Sequence, residues 1–281
     1  MRVIGETLAL AQREGFRVNV IEAFNQPWKR WLEGSTGGYW GIFDRSTGGP
    51  KFTFGGAVSD HPHWLVQALA GILLTALAFA AAFVGAQGKG LPPSLWPKIA
   101  ALTFPSAVMF GWTVETVPIE SFSAGSWLRS LAFAATAGLA PIVCAGACAA
   151  GRTVASFAAL LGRPGERCDR FDGVVGATLI VLMLLSVEAA LGLVFDPRYR
   201  DLPFAPEGAA VWPYLVLLVF SPRQAGSRAI AETVAATVLA LSAGYIVFNE
   251  GFANWQAMWF CAGLLGLAFI LERVRDAPGS G

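Results

Sequence analysis

Downstream of His63 the sequence is a succession of apolar stretches, and nothing else in it narrows the choice of fold as much. They fall near 64–86, 95–114, 127–151, 174–195, 209–221, 229–248 and 253–272. Crossing ~30 Å of hydrocarbon takes ~20 helical residues, so this part of the chain predicts about seven transmembrane helices. The fifth stretch is short, and Pro206, Pro213 and Pro222 fall in or beside it. Proline removes a helical donor, so a tilted, kinked or re-entrant piece is expected there. Over the whole chain 55% of residues are apolar and 14% charged, which leaves too little polar surface for two soluble domains. A net charge of +1 without a Lys/Arg block argues against nucleic acid as a partner.

Charge placement predicts sidedness. With the N-terminal stretch outside the cytoplasm, the inner loops and adjoining segment ends carry Lys89, Lys98, Arg152, Arg163, Arg167, Arg170, Arg223, Arg228, Arg273 and Arg275, while the outer loops keep Arg129, Arg198 and Arg200. That is the bias of the positive-inside rule, and it puts the C-terminus in the cytoplasm. Trp64, Trp96, Trp127, Trp212, Trp255 and Trp259 fall at or near segment ends, as interfacial anchors do, and Ala- and Gly-rich runs such as Ala132 to Gly151 allow close helix contact. Glu188 and Glu232 lie inside apolar segments; one reading is a proton or substrate relay, and the plainer one is a position near the headgroups or a pairing across helices, with Arg129 as the expected partner of Glu188. His61 and His63 flank Pro62 without further ligands in sequence, and Cys144, Cys148, Cys168 and Cys261 form no spaced framework, so inert buried thiols are expected.

The first sixty residues are different. Met1 to Gly15 lacks the apolar core of a signal peptide and reads as a helix, with Val3, Ile4, Leu8, Leu10 and Ala11 at helical spacing and Gly15 as its cap. Arg17 to Phe24 alternates and is rich in β-branched residues, which predicts a strand. A helix, turn and strand make one αβ unit, and one such unit cannot bury its own surface. Tyr39 to Phe43 and Lys51 to Phe54 flank a turn-rich connection suited to a hairpin, and Gly55-Gly56 with the Ser-Asp-His-Pro-His run forms a linker.

Between Val20 and Phe43 three tryptophans, a tyrosine, two glutamates and a lysine are concentrated, the chemistry of a sugar-binding rim. Glu22-Ala23-Phe24-Asn25-Gln26-Pro27-Trp28-Lys29, then Glu33-Gly34, then Gly38-Tyr39-Trp40-Gly41-Ile42-Phe43-Asp44, resembles the last barrel strand and loop of glycoside hydrolase family 17, in particular its bacterial membrane-attached β-glucan synthase or glucosyltransferase members. The resemblance covers about the first 55 residues, with a lesser likeness at Asn249-Glu250-Gly251 and Asn254-Trp255-Gln256. Asn25 stands where the pattern has Asp.

The resemblance implies a (β/α)₈ barrel with its site at the C-terminal ends of the strands, and β-1,3- or β-1,6-glucan as substrate. Retaining glycosidases need two carboxyl groups ~5 Å apart, which in this family come from the fourth and seventh strands. Both would lie upstream of Met1, so no catalytic residue, cofactor or metal ligand is expected in this chain. The residues expected to line the saccharide cleft are Gln26, Trp28, Lys29 and Glu33. The plainer alternative is that the aromatic residues pack the closing loop and that Lys29 with Glu33 is an i, i+4 surface ion pair.

The expected organisation is a glycosidase-like fragment over 1–60, a multi-helix membrane domain over 61–276 and a tail over 277–281. As a whole, the fold class is membrane all-α preceded by a small α/β fragment. Two functions follow. One is the inner-membrane portion of an extracytoplasmic β-glucan hydrolase or transglycosylase, inactive alone and completed by the missing barrel portion. The other is a membrane scaffold or channel for glucan export with a docking N-terminus.

Overall fold

The structure, a computed structural model, describes residues 2–53, 61–87, 90–154, 156–157, 160, 170–198, 200–220 and 230–274. The tail over 277–281, most of the linker, Cys168, Lys89, Arg163, Arg167, Arg223, Arg228 and Arg275 lie outside the described residues. The helices in chain order are α1 (Arg2–Glu14), α2 (Arg30–Gly37), α3 (Trp64–Gly85), α4 (Trp96–Glu120), α5 (Ala124–Ala149), α6 (Arg170–Phe195), α7 (Phe204–Phe220), α8 (Ile230–Glu250) and α9 (Trp255–Arg273). A 3₁₀ turn over Pro27–Lys29 leads into α2.

Helix α1 ends as its sequence predicts. Gly15 takes φ +73°, and the Phe16 amide reaches back to the Ala11 carbonyl at 3.1 Å, closing the left-handed C-terminal motif that glycine makes cheap. The strand expected at 17–24 does not form, and no strand is present among the described residues. What remains of it is one parallel bridge between Phe24 and Phe43, closed by Asn25 N–H to Phe43 O (3.2 Å) and Phe43 N–H to Ala23 O (2.7 Å). The hairpin likewise shrinks to one antiparallel bridge, Phe43 to Pro50, with the Lys51 amide on the Ile42 carbonyl at 3.0 Å. The α/β fragment is therefore corrected to a helix followed by bridged, mostly irregular chain. An extended segment with a single neighbour gains too few ladder bonds to propagate. Gly41 is what lets the bridge close, because a Cβ there would lie 2.2 Å from the Asn25 nitrogen.

From Trp64 onward the helices pack as an antiparallel bundle. Five of them, α3, α5, α6 (over Asp172–Phe195), α8 and α9, are long and apolar enough to cross a bilayer. The other two of the seven expected, α4 and α7, run among them. Helix α4 packs on α3, α5 and α7, and α7 on α4, α5, α6 and α9. The run of close contacts gives the direction of each helix. Gly71 meets Ala107 while Gly111 meets Gln67, so α3 and α4 are antiparallel; Gly85 meets Gly146 near the ends of α3 and α5, which are parallel. Lys98 at the start of α4 lies over the Phe220 ring at the end of α7.

Large side chains fill the centre, with Phe133, Tyr214 and Phe260 fully buried, and the Tyr214 hydroxyl donates to the Val175 carbonyl at 2.7 Å. Outside, the bundle exposes Leu69, Ile72, Leu73, Phe104, Leu128, Leu184, Leu241 and Phe269. Water-soluble proteins do not leave an apolar belt of that extent uncovered, and a hydrocarbon solvent leaves it at no cost.

The prolines are accommodated. Helix α7 is continuous through Pro213, and Pro206 sits in its first turn, where a missing donor loses nothing, so the fifth segment is neither kinked out nor confined to 209–221. That also moves Trp212 from a segment end to mid-helix. There its indole N–H donates to the Ala101 carbonyl at 2.8 Å, the acceptor that Pro105 of α4 leaves without its i+4 partner. Trp64, Trp96, Trp127 and Trp255 remain in the first turns of their helices, Trp259 lies one turn into its own, and all five are exposed.

Candidate functional site

The extended segment, the 3₁₀ turn and α2 bring the predicted residues to one rim, though not in the predicted pairing. Lys29 Nζ makes an ion pair with Glu22, both side chains largely buried, instead of with Glu33. The reason is local. Helix α2 breaks at Glu33 (φ −128°) and Gly34 (φ +73°, ψ −173°), so the Glu33 side chain leaves the backbone in a direction other than that of a helical i, i+4 partner of Lys29. Glu22 itself takes φ +66°, a left-handed conformation costly for a side chain with a Cβ and sustained only where its surroundings hold it. The hydrogen bond to Glu22 holds the Lys29 ammonium above the usual lysine range, with the charges of Glu22 and Glu33 acting in the same direction.

The same ammonium lies 5.9 Å from the Trp28 ring centroid and 5.8 Å from that of Trp40, at the outer limit of cation–π contact. Trp28 is 55% exposed and Trp40 48%. Gln26 accepts from the Trp28 indole N–H at 3.0 Å and so fixes the ring's orientation. One oxygen each of Glu22 and Glu33 is buried without a hydrogen-bond partner. Gln26, Trp28, Lys29 and Glu33 thus surround one spot, with Glu22 and Trp40 completing it. Those two belong to the motifs that carry the family resemblance but are not among the residues expected to line the cleft, because neither the turn at Glu22 nor the bridge that brings Trp40 back is encoded in spacing.

Asn25 has a structural task. It is buried, and its side-chain oxygen accepts from Lys51 at 2.5 Å while Lys51 also reaches the Tyr39 carbonyl at 2.6 Å. Burial lowers the Lys51 amine below its ordinary range, against the opposing charge of Asp44. Asp44 organises the following turn by accepting from the amides of Ser46 (2.8 Å) and Thr47 (3.0 Å), and these bonds with the Ser46 hydroxyl pull its carboxyl below the usual range.

The rim is fastened to one end of the bundle. Arg30 donates to the Ile119 and Ser121 carbonyls at the α4–α5 turn and lies over the rings of Phe122 (5.2 Å) and Tyr39 (5.4 Å). Trp31 meets Phe122 edge-on at 5.4 Å, and the Ser35 hydroxyl donates to Asp201 in the connection between α6 and α7. Beside this junction α4, α5 and that connection border a cavity of ≈ 160 Å³, lined in part by the charged groups of Glu120, Arg129, Arg200 and Asp201. Burial pushes the Asp201 carboxyl up, opposed by its bond from Ser35 and by the charges of Arg129 and Arg30.

Of the two membrane glutamates noted in the sequence, Glu188 pairs with Arg129 at 3.3 Å, as expected, and Glu232 is buried and accepts from the Phe157 amide at 2.8 Å. His61 packs edge-on against Trp112 at 5.5 Å. A third glutamate, Glu207, went unremarked in the sequence because it precedes the apolar run assigned to the fifth segment. It is fully buried. Searched against protein families, curated proteins and solved structures, the chain has no match in any of the three.

Proposed function

We propose that this chain is the membrane-bound portion of an extracytoplasmic β-glucan-processing enzyme, contributing a saccharide-binding rim while the reactive carboxyl groups are supplied by a separate barrel portion. The observation that carries this reading is the arrangement of Lys29 between two exposed indoles, with Glu22 fixing the ammonium and Gln26 fixing one ring. Indole faces offer apolar platforms for pyranose rings, and an ammonium flanked by carboxylates donates to and accepts from hydroxyls. The rim faces the bundle end bearing Arg129 and Arg200, whereas Lys98, Arg152 and Arg273 lie at the opposite end. The positive-inside bias therefore favours an outer location for the rim. We place the chain in a bacterial inner membrane, with the helices from α3 to α9 as crossings and the C-terminus cytoplasmic.

The second reading, a polytopic scaffold or export channel whose N-terminus docks a partner, is favoured by the way Arg30, Trp31 and Ser35 clamp the rim to the α4–α5 turn and Asp201. The two readings separate on binding. The purified full chain in lipid nanodiscs is titrated with soluble β-1,3-gluco-oligosaccharides and, separately, with α-1,4-gluco-oligosaccharides. The enzyme-part reading expects saturable binding of the β-glucan alone, weakened about fivefold in Trp28→Ala or Trp40→Ala, since one stacked aromatic contributes on the order of 1 kcal/mol. No cleavage of the oligosaccharide is expected. Absence of binding, or binding unchanged in both variants, contradicts it.

A further inference from the structure

Glu207 is a carboxyl group in the interior of a membrane bundle with no charged partner among the described residues. Its side chain is fully buried in the first turn of α7, and neither carboxylate oxygen has a hydrogen-bond partner. Helix α9 approaches so closely at Gly263 that a Cβ there would stand 3.1 Å from the Glu207 Cδ. Helix α6 faces it with Ser186, whose buried hydroxyl stands beside the carboxyl and is near enough to act on it, though outside the geometry of a full hydrogen bond. Helix α4 contributes Met109, against Gly208, and the titratable group nearby on α9 is Cys261, which itself lies near Glu250. No cation among the described residues pairs with Glu207, although ion pairs are made elsewhere at this end of the bundle by Arg129 with Glu188 and Arg200 with Asp196.

An ionised carboxylate in such a place loses its hydration with a single hydroxyl, that of Ser186, to offset the loss, whereas the neutral acid loses far less. Intramembrane acids without a structural partner are functional groups by default. On the outer side Phe204, one turn before Glu207, packs against Trp255 (5.2 Å) and Trp112 (5.2 Å), and the two indoles stack at 5.7 Å.

We propose that Glu207 is a proton-binding site inside the bundle: the seam between α6, α7 and α9 holds the neutral carboxylic acid, and the Trp112–Phe204–Trp255 cluster controls its exchange with the outer aqueous phase. One proton sits on one carboxyl oxygen, and its release requires either that cluster to part or a cation to enter. This goes beyond the saccharide reading and does not depend on it.

The test is infrared difference spectroscopy on the full chain in lipid nanodiscs at neutral pH, comparing the native chain with Glu207→Gln. The native chain is expected to show a protonated-carboxyl carbonyl band that shifts in D₂O, is lost in E207Q and is unchanged by Na⁺ or K⁺. Absence of any such difference means an ionised Glu207 and overturns the proposal; so does a band bleached by Na⁺ or K⁺, which would make the site a cation site. Should E207Q fail to fold, Gly263→Ala decides the matter, because its new methyl must shift the band, and an unmoved band places the carbonyl elsewhere. Trp112→Ala should speed the D₂O shift severalfold; an unchanged rate removes the aromatic cluster from control of exchange.

Discussion

At the scale of single residues, the N-terminal segment is organised by acids that accept more than one bond. Asp44 is the clearest case, because its carboxylate accepts from the Ser46 hydroxyl and holds the Thr47 and Ser46 amides, and is pulled below the ordinary range by doing so. A depressed folded value means that the turn's stabilisation is present above the unfolded carboxylate range, ~3.9, and is lost as pH falls through the folded value. Amide protection of Ser46 and Thr47, corrected for intrinsic exchange, should therefore fall on acidification in the native chain and be low at every pH in Asp44→Ala. Protection independent of both pH and the substitution would show that the turn is held by something else. This residue-level logic was only partly legible in the sequence. Asp-Arg-Ser-Thr-Gly-Gly-Pro marks a turn by composition, but the pairing of Lys29 with Glu22 depends on a left-handed Glu22 and a break at Gly34, and neither conformation is written in the spacing. Glu207 was hidden for a related reason, since proline-rich flanking sequence placed the start of α7 too late.

At the scale of elements, the bundle is a problem in satisfying backbone groups and bringing small residues together. Pro105 frees the Ala101 carbonyl, and Trp212 from α7 supplies the missing donor. Trp212→Phe should cost about 1–3 kcal/mol by orphaning that carbonyl. Pro105→Ala in the same chain should recover part of the loss by restoring the helical N–H, as read from thermal unfolding in detergent. Additive effects of the two substitutions would contradict the pairing. Glycine contacts make a second set. A Cβ at Gly111 would lie 2.5 Å from the Gln67 carbonyl oxygen, whereas at Gly244 of α8 nothing stands within 4 Å. Gly111→Ala should destabilise the chain by about 1–3 kcal/mol through forced separation of α3 and α4, while Gly244→Ala should be neutral or stabilising by about 0.5–1 kcal/mol. Equal midpoints for the two variants would refute the close approach. The helix boundaries were legible at this scale where apolar length alone sets them, as at Trp64–Gly85. The strand at 17–24 was not, because strand propensity is realised only when a neighbour supplies the ladder.

For the whole molecule, the consequence of the fold is an asymmetric bundle with the aromatic rim clamped over one end, the charge-lined cavity and the buried Glu207 beneath it, and Lys98, Arg152 and Arg273 at the other. A saccharide rim has use only on the side where glucan is made or remodelled, so sidedness decides whether the functional reading stands. It is read directly by placing single cysteines at exposed positions of the two ends, Arg45→Cys beside the rim and Ser94→Cys before α4, in a chain whose native cysteines are replaced by alanine. Spheroplasts carrying each variant are treated with a membrane-impermeant maleimide. Labelling of position 45 in intact spheroplasts, with position 94 labelled only after permeabilisation, is the predicted result; labelling of position 94 from outside, with position 45 protected, would contradict it.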